Sequence, residues 1–226
     1  MSVIWNIKDL INVDWNLIKT ALGETLFMTF GSLFFAVIIG FIIGIIIFIT
    51  KKNGLWENVI VSSILNVVVN ILRAVPFIIL LCLLIPFTKA LVGTMLGAKA
   101  AIPALIFSAA PFYARMTLIA LNEVDGGTIE ACKALGASNG QIIFKALLPE
   151  ALPALVSSIT VTGISLVGYT AMAGAIGSGG LGNIAYLYGW ARRNPPVMYL
   201  ATVLVLIIVF IIQSIGDLAV KKIDKR

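Results

Sequence analysis

Five long stretches of apolar residues constrain what this chain can fold into more than any other feature. A helix that crosses a bilayer needs about 20 predominantly apolar residues, and each stretch meets that length. The chain of 226 residues is 60% hydrophobic and only 12% charged, whereas a soluble domain is about 25% charged. Because so few charges cannot cover a water-exposed surface, the sequence predicts an all-α polytopic membrane protein with five transmembrane helices. The predicted spans are Leu22–Ile49, Val59–Ile85, Ala100–Leu121, Ala151–Ile176 and Val197–Ile215.

Composition also argues against several classes of function. The chain has no histidine, which removes the commonest general base and the commonest metal ligand. Its two cysteines, Cys82 and Cys132, are far apart in the sequence and too few for a zinc site, which needs about four ligands. We therefore expect no metal, no disulfide and no enzymatic activity. The net charge of +6 is not arranged as an aromatic-interleaved basic stripe, so it fits membrane lipid and not nucleic acid.

The distribution of lysine and arginine predicts the orientation. Positively charged residues concentrate in cytoplasmic loops, and the clearest basic clusters are Lys51-Lys52 and the C-terminal sequence Lys221–Arg226. With five spans, this places the N-terminus outside, the C-terminus in the cytoplasm and the long connection 122–150 inside. We predict an extracytoplasmic interfacial segment at 1–19, either a separate amphipathic helix or an extension of the first span. A transmembrane domain at 20–216 and a basic cytoplasmic tail at 217–226 complete the predicted organisation.

A polar, helix-forming segment interrupts the apolar sequence between the third and fourth spans. Asp125-Gly126-Gly127 signals a turn, Thr128 is a candidate N-cap, and Gly136 is a candidate C-cap. Between the caps, small residues and Leu135 favour a short helix that another surface can approach closely. From the residues alone, a helix that docks on a soluble partner and an ordinary interfacial loop are equally good interpretations.

The same segment closely resembles the EAA loop of ATP-binding-cassette (ABC) importer permeases. That pattern is Glu-Ala-Ala, three residues, Gly, nine residues and Ile-x-Leu-Pro. Here it corresponds to Glu130, Ala131, Cys132, Gly136 and Ala146–Pro149. The cysteine and the alanine at 146 depart from the pattern, both by small or apolar changes. Over roughly residues 20–216, four further blocks are similar to the methionine importer permease family. They are Arg73–Leu81, Ala109–Met116, Leu147–Pro153 and Gly174–Gly182.

The resemblance implies a type I ABC importer permease core that forms a homodimeric pathway and works by alternating access. The implied partners are a second copy of the chain, two ABC ATPase subunits that use ATP and Mg, and an extracytoplasmic substrate-binding protein. No cofactor is expected on this chain, and the implied location is the cell membrane of a prokaryote. Methionine is the implied cargo. Glycine betaine or another quaternary amine is the alternative, and a non-transporting scaffold or channel is a third interpretation. The residues implied to couple to the ATPase are Glu130, Ala131, Cys132, Leu135, Gly136, Ala137 and Ser138.

Charges and helix breakers inside the predicted spans mark a candidate translocation path. Arginine at the centre of a bilayer is costly, so Arg73 must face a cavity, a partner or an interface, and functional and structural roles stay equally open. Pro76 predicts a kink or break in the second span. Arg115 is close enough to the cytoplasmic end of its span to reach the headgroups. The candidate path comprises Arg73, Pro76, Ser165, Tyr169 and Met172.

The glycine-rich sequence Gly177–Gly182 follows the fourth span. It lacks the Gly-Lys-Ser/Thr ending of a phosphate-binding loop, so ATP hydrolysis is expected on a separate protein. We predict instead a turn or re-entrant segment at the outer mouth, where a binding protein would dock. Its characteristic residues are Gly179, Gly180 and Gly182.

Overall fold

Helices make up the regular structure of the described chain. The structure, a computed structural model, describes residues 14–224, and over that range it contains ten α-helices and no β-strand. Three π-helical segments, Ile143–Leu147, Gly174–Ser178 and Ile184–Ala191, directly follow α-helices. The α-helices are α1 (Trp15–Thr50), α2 (Val59–Ala74), α3 (Phe77–Leu83), α4 (Ile85–Val92), α5 (Ala98–Asn122), α6 (Gly126–Ala134), α7 (Asn139–Ile142), α8 (Leu148–Ala173), α9 (Gly180–Asn183) and α10 (Pro195–Ile223).

Four of the predicted spans are continuous helices in the structure. They correspond to α1, α5, the helix Asn139–Ser178 that contains α8, and α10, each long and apolar enough to cross a membrane. The helix Asn139–Ser178 is 40 residues long, so it begins well before the predicted start of the fourth span at Ala151. The apolar residues Ile142 and Ile143 extend the helical pattern in that direction.

The second predicted span is broken at the position where the sequence indicates a break. Helices α2 and α3 are bent by 103°, and Val75 between them is extended, with φ −76° and ψ 122°. Pro76 explains the bend, because proline lacks a backbone donor and disfavours helical geometry in the residue before it. The bent pair therefore forms a broken span or a re-entrant loop, and counted as one span it brings the total to five.

Two predicted connections contain more helix than the sequence indicates. Half of the predicted connection 86–99 belongs to α4, which places Pro86 in its first turn, where the missing N–H costs nothing and the fixed φ favours the helix. Gly93, with φ 80°, ends α4 in the left-handed conformation. The predicted connection 177–196 contains α9 and the π-helical segment that follows it.

The predicted borders at residues 19 and 216 do not correspond to ends of helices. Residues 1–13 of the predicted interfacial segment lie outside the described residues, and its remainder from Trp15 belongs to α1. Residues 15–19 are therefore continuous with the helix that contains the first predicted span. At the other terminus, α10 continues without a break to Ile223, and the last two residues of the predicted tail lie outside the description.

The described chain divides into two compact units, each with its own apolar core. The first unit comprises residues 14–32, 76–106 and 163–212. Its core contains buried side chains from α1, α8, α9 and α10, among them Val167 and Leu181.

The second unit comprises residues 33–75, 107–162 and 213–224. Its core joins α1, α2, α5, the π-helical segment Ile143–Leu147 and α8. The hydroxyl group of Tyr113, a fully buried side chain, donates to the carbonyl oxygen of Leu155 at 3.3 Å. Buried polar groups need such partners, so this bond fixes α5 against α8 inside the unit.

Close contact between α1 and α5 in the second unit depends on a missing side chain. A Cβ atom on Gly44 would lie 2.6 Å from the Cβ atom of Thr117 and 2.8 Å from the carbonyl oxygen of Ala114. Small residues allow membrane helices to approach in this way, and the resulting van der Waals contacts hold them together.

Candidate functional site

The segment between α5 and α7 forms a short helix with a defined start. Asp125 is the N-cap of α6, and its carboxylate accepts a hydrogen bond from the backbone N–H of Gly127 at 3.2 Å. This corrects the prediction that Thr128 caps the helix, since Thr128 is the third residue of α6. A carboxylate at the positive end of a helix is a favourable cap, and it allows both glycines that follow to enter the helix.

The end of α6 is as well defined as its start. The backbone N–H of Gly136 donates to the Lys133 carbonyl at 2.9 Å, and that of Ala137 donates to the Cys132 carbonyl at 3.0 Å. This pair of bonds is a Schellman motif, which requires a left-handed residue at the position of Gly136. Its φ is +75°, so the predicted glycine stop is present, with a physical reason for glycine.

The next helix, α7, begins at Asn139 and connects the segment to the membrane helices. Ser138 and Gln141 form a reciprocal capping box at the start of α7. The side-chain amide nitrogen of Asn139 donates to the backbone carbonyl of Leu55 at 2.6 Å. Ile142 and Leu147 are fully buried. A movement of the capped segment would therefore reach α8 through well-packed contacts.

The residues predicted to couple to an ATPase lie on or next to α6 and face outward. None of the nine residues of α6, all of them within the described range, is buried. Leu135 is 87% exposed, and Phe144, in the π-helical segment after α7, is 71% exposed. Sequence analysis missed Phe144, although it follows two apolar residues at a position where a helix turns to its opposite face. Of the predicted coupling residues, Glu130, Ala131, Leu135, Gly136 and Ser138 are exposed and Cys132 and Ala137 are half-buried.

The first connection of the chain lies at the same end of the second unit as α6. Besides the bond from Asn139 to Leu55, the Lys51 ammonium donates to the side-chain oxygen of Asn122, the last residue of α5. The ammonium also lies 4.0 Å from the centre of the Phe48 ring, and burial lowers the pKa of Lys51. The basic connection 51–58 and the segment 122–150 therefore belong to one surface.

The predicted path residues lie at the break after α2 and on one face of α8. Arg73 is exposed in the last turn of α2, where a cation interacts favourably with the helix dipole. Pro76 precedes α3, whose first residue, Phe77, stacks on the Tyr169 ring with centroids 4.9 Å apart and planes at 17°. In the first unit, the structure thus joins the break in the second span to α8.

Ser165, Tyr169 and Met172 share one face of α8, because residues three and four apart lie on the same side of a helix. Ser165 and Tyr169 are half-buried, and Met172 is 49% exposed. A polar group, an aromatic ring and a flexible thioether are thus placed in succession along the helix. A role for these residues in translocation stays a prediction.

The glycine-rich sequence after α8 is a tightly packed hairpin. The N–H of Gly180 donates to a carboxylate oxygen of Glu24 at 2.7 Å, and that of Leu181 donates to the Thr25 hydroxyl at 2.8 Å. Gly182 packs directly against the backbone of Ala171 and leaves no space for a side chain. Gly180 and Gly182 are buried and Gly179 is half-buried, so two of the three predicted docking glycines are unavailable to a partner.

Glu24 is the functional candidate that sequence analysis missed. It is an acidic residue inside the first apolar stretch, and an ionisable residue in such a stretch is costly enough to suggest a function. That signal was available in the sequence Gly23-Glu24-Thr25. Its backbone partner Gly180 lies 156 residues away, and only the structure identifies it.

The described residues hold no group of three or more His, Cys, Asp or Glu side chains that could bind a metal ion.

Comparison with known proteins identifies the family. Residues 36–226 match the family described as binding-protein-dependent transport system inner membrane component. The chain belongs to this family. The methionine import system permease protein MetP of Bacillus subtilis (strain 168) is 58% identical over 215 residues, which is 95% of this chain and 97% of MetP. A probable D-methionine transport system permease protein MetI of Pasteurella multocida (strain Pm70) is 47% identical, over 94% of this chain and 98% of that protein.

A solved structure gives the same result for the fold. It shows inward-facing conformations of the MetNI methionine ABC transporter, and one chain matches with a TM-score of 0.90 and 46% identity over 93% of this chain and 98% of that chain. The predictions of an all-α polytopic membrane protein and of a type I ABC importer permease are confirmed. The chain is the transport subunit of a binding-protein-dependent system, and it is not the ATPase.

Proposed function

We propose that this chain is the permease subunit of an ATP-driven methionine importer. The observation that carries the proposal is helix α6, which is capped at both ends, has no buried residue within the described range and is followed by Leu135, which is 87% exposed. A helix held in this way and left uncovered is a surface for a partner. The names of the relatives support methionine as the cargo in preference to glycine betaine.

The proposed partner at α6 is an ABC ATPase, which binds ATP and Mg. Closure of two such ATPases would press the two copies of α6 towards each other. The bond from Asn139 to Leu55 and the buried residues Ile142 and Leu147 would pass that movement to α1 and α8. The membrane helices would then open the path alternately to the outside and to the inside. Such alternating access arises when groups of helices rock around a fixed site.

The proposed orientation has the N-terminus outside and the C-terminus in the cytoplasm. Lys51 and Lys52 in the first connection favour a cytoplasmic position. Because this connection and the segment 122–150 belong to one surface, α6 lies on the same side. Helix α1 is the one span between the start of the described chain and this connection, so the start of α1 lies on the outside, where a substrate-binding protein would deliver the cargo. With five spans in all, the C-terminus lies in the cytoplasm.

The pathway is proposed to form between two copies of the chain. On α8, Gly168 and Met172 are exposed four residues apart, and a glycine at this position allows a second helix to approach closely. The proposed path runs along Arg73, Pro76, Ser165, Tyr169 and Met172, with the arginine available to a carboxylate group of the cargo. Lipid covers the remaining apolar surface of the helices.

Reconstitution tests the proposal. The subunit is co-purified with its ATPase, placed in vesicles with the binding protein outside, and supplied with labelled methionine or labelled glycine betaine. We expect ATP-dependent uptake of methionine and none of betaine. Betaine uptake without methionine uptake would support the alternative cargo, and a purified chain that retains no ATPase and moves neither solute would contradict the proposal.

A further inference from the structure

A cavity in the first unit contains the one acidic side chain of the first apolar stretch. The cavity measures about 300 Å³ and is lined by residues of α1, the glycine hairpin, α9 and the π-helical segment Ile184–Ala191, among them Thr20, Glu24, Asn183 and Tyr188. Small-molecule sites in proteins range from about 300 to 1,000 Å³, so this cavity suits a solute of amino-acid size. None of these residues belongs to the path proposed above.

The position of the Glu24 carboxylate is fixed by the hairpin. One oxygen accepts the Gly180 N–H at 2.7 Å, and the whole carboxylate lies against Gly179, whose missing side chain makes room for it. Among residues 14–224, the Gly180 N–H is the group seen to donate a hydrogen bond to the Glu24 carboxylate. The second oxygen therefore keeps its capacity to accept a hydrogen bond from a cation.

The surroundings of the carboxylate match the rest of an amino acid. Asn183, whose side chain carries an amide, is one of the lining residues, and so are the apolar residues Leu17 and Ile184. Tyr188 also lines the cavity, and the Arg192 guanidinium lies 4.4 Å from the centre of its ring, so a positive charge lies beside one residue of the wall while the negative charge of Glu24 belongs to another. Opposite charges flanking an apolar wall are complementary to a zwitterion with an apolar side chain.

We propose that this cavity is a receiving site for the amino-acid cargo, in which Glu24 binds the ammonium group and Asn183 the carboxylate. The proposal rests on the function proposed above and adds to it a specific site outside the central path. With the start of α1 on the outside, the cavity is reached from the side on which the cargo arrives. A hydrogen bond between two charged groups is stronger than one between neutral groups. The ammonium group should therefore contribute more to binding than the carboxylate.

Two analogues separate the groups of the cargo. The probes are methionine, 3-(methylthio)propylamine, which lacks the carboxylate, and 4-(methylthio)butanoate, which lacks the ammonium group. Their equilibrium binding is measured on the complete permease–ATPase complex in lipid nanodiscs, without the binding protein. We expect saturable binding of methionine and of the amine, and binding of the butanoate at least tenfold weaker. This part needs no variant, and a site that prefers the butanoate or does not bind the amine would overturn the proposal.

The decisive variant is Glu24→Gln. Glutamine keeps an oxygen for the Gly180 N–H and removes only the charge, so the complex should assemble normally. We expect methionine and amine binding to weaken at least tenfold. The matched control is Glu57→Gln, because Glu57 also accepts a backbone N–H, from Asn53 at 3.0 Å, but lies in the second unit. Unchanged binding in Glu24→Gln, or an equal loss in Glu57→Gln, would overturn the proposal.

A second variant, Asn183→Ala, should weaken methionine binding and leave the amine unaffected, since the amine has no carboxylate. An equal loss for both ligands would contradict the assigned role of Asn183. The uptake assay keeps the two proposals apart. If the unmodified importer takes up methionine while Glu24→Gln binds normally, only the receiving site is wrong. If the unmodified importer does not take up methionine, the proposed function is wrong.

Discussion

Two glycine-containing segments of this chain look alike in sequence and differ in structure. The segment around α6 ends at Gly136, and the hairpin after α8 contains Gly179, Gly180 and Gly182. In the first, no residue of the helix is buried, the Asp125 side chain caps its start, and backbone hydrogen bonds close its end. In the second, two of the glycines are buried and the hairpin is bonded to Glu24 and Thr25 of α1.

The contrast shows that glycine serves two separate purposes here. Gly136 has a positive φ and open space around it, so its contribution is backbone conformation. Gly182 is packed against Ala171, so its contribution is the absence of a side chain. The side chains of the first segment are exposed and available to a partner, whereas the second segment is packed against other residues of the same chain. Changes in the hairpin should therefore reduce stability, and changes at α6 should reduce transport.

The largest expected effect is on stability, from Gly182→Ala. The added methyl group would overlap the Ala171 backbone, and overpacking of a buried site that cannot relax costs about 3 kcal/mol or more. Thermal unfolding of the purified subunit measures the loss. Gly23→Ala is the control, because a Cβ on Gly23 meets nothing within 4 Å and alanine favours a helix. Equal stability of the two variants would show that the hairpin is not closely packed.

Gly136→Pro should abolish coupling while leaving the membrane helices folded. Proline fixes φ near about −65° and cannot adopt the +75° of Gly136, and it removes the N–H that donates to Lys133. We expect at least a tenfold loss of ATP-dependent uptake with a thermal midpoint changed by no more than about 2 °C. Gly140→Ala, at a helical glycine with open space, should transport normally. Normal uptake by the proline variant would count against α6 as the coupling element.

A smaller effect is expected from Thr25→Val in the hairpin. The substitution keeps the shape and removes the hydroxyl that accepts the Leu181 N–H at 2.8 Å. Leaving a buried donor without a partner costs about 1–3 kcal/mol, measured again as thermal unfolding. Thr202→Val provides the comparison, since Thr202 is exposed and donates to the Met198 carbonyl of its own helix. No difference between the variants would mean that the bond to α1 contributes little.

The smallest effect is expected at the start of α6, from Asp125→Ala. Loss of an N-cap costs about 1 kcal/mol, enough to open this short helix about fivefold more often. Hydrogen exchange of the α6 backbone would report the change, with no change in global stability. Asp125→Asn retains a capping oxygen and should exchange like the unmodified chain. Equal exchange rates in the unmodified chain and both variants would show that Asp125 does not stabilise the start of α6.

Much of the fold follows from the sequence because the signals are local. Apolar length gives the spans, Pro76 gives the break, and Gly136 gives the end of α6. The position of the cap was wrong because Asp125 and Thr128 are both good caps, and local preference does not choose between them. Helix α4 lies in the predicted connection 86–99 because the apolar stretch of the second span ends at Ile85, and Pro86, which follows it, favours the first turn of a helix.

The site is less predictable because its contacts join distant parts of the chain. Nothing near Glu24 in the sequence indicates Gly180 as its partner, and nothing near Phe77 indicates the Tyr169 ring. Exposure is also invisible locally, since Ile143 is buried and the adjacent Phe144 is 71% exposed. Such features depend on how helices pack, which propensity and periodicity do not determine.

The most direct test of the account asks which side of the membrane α6 faces and whether a partner covers it. A single cysteine is introduced as Leu135→Cys in a chain with Cys82→Ser and Cys132→Ser, and a membrane-impermeant maleimide is applied to vesicles of each orientation. We expect labelling from the cytoplasmic side only, reduced at least tenfold when the ATPase is bound. Labelling from the outer side, or equal labelling with and without the ATPase, would contradict the account.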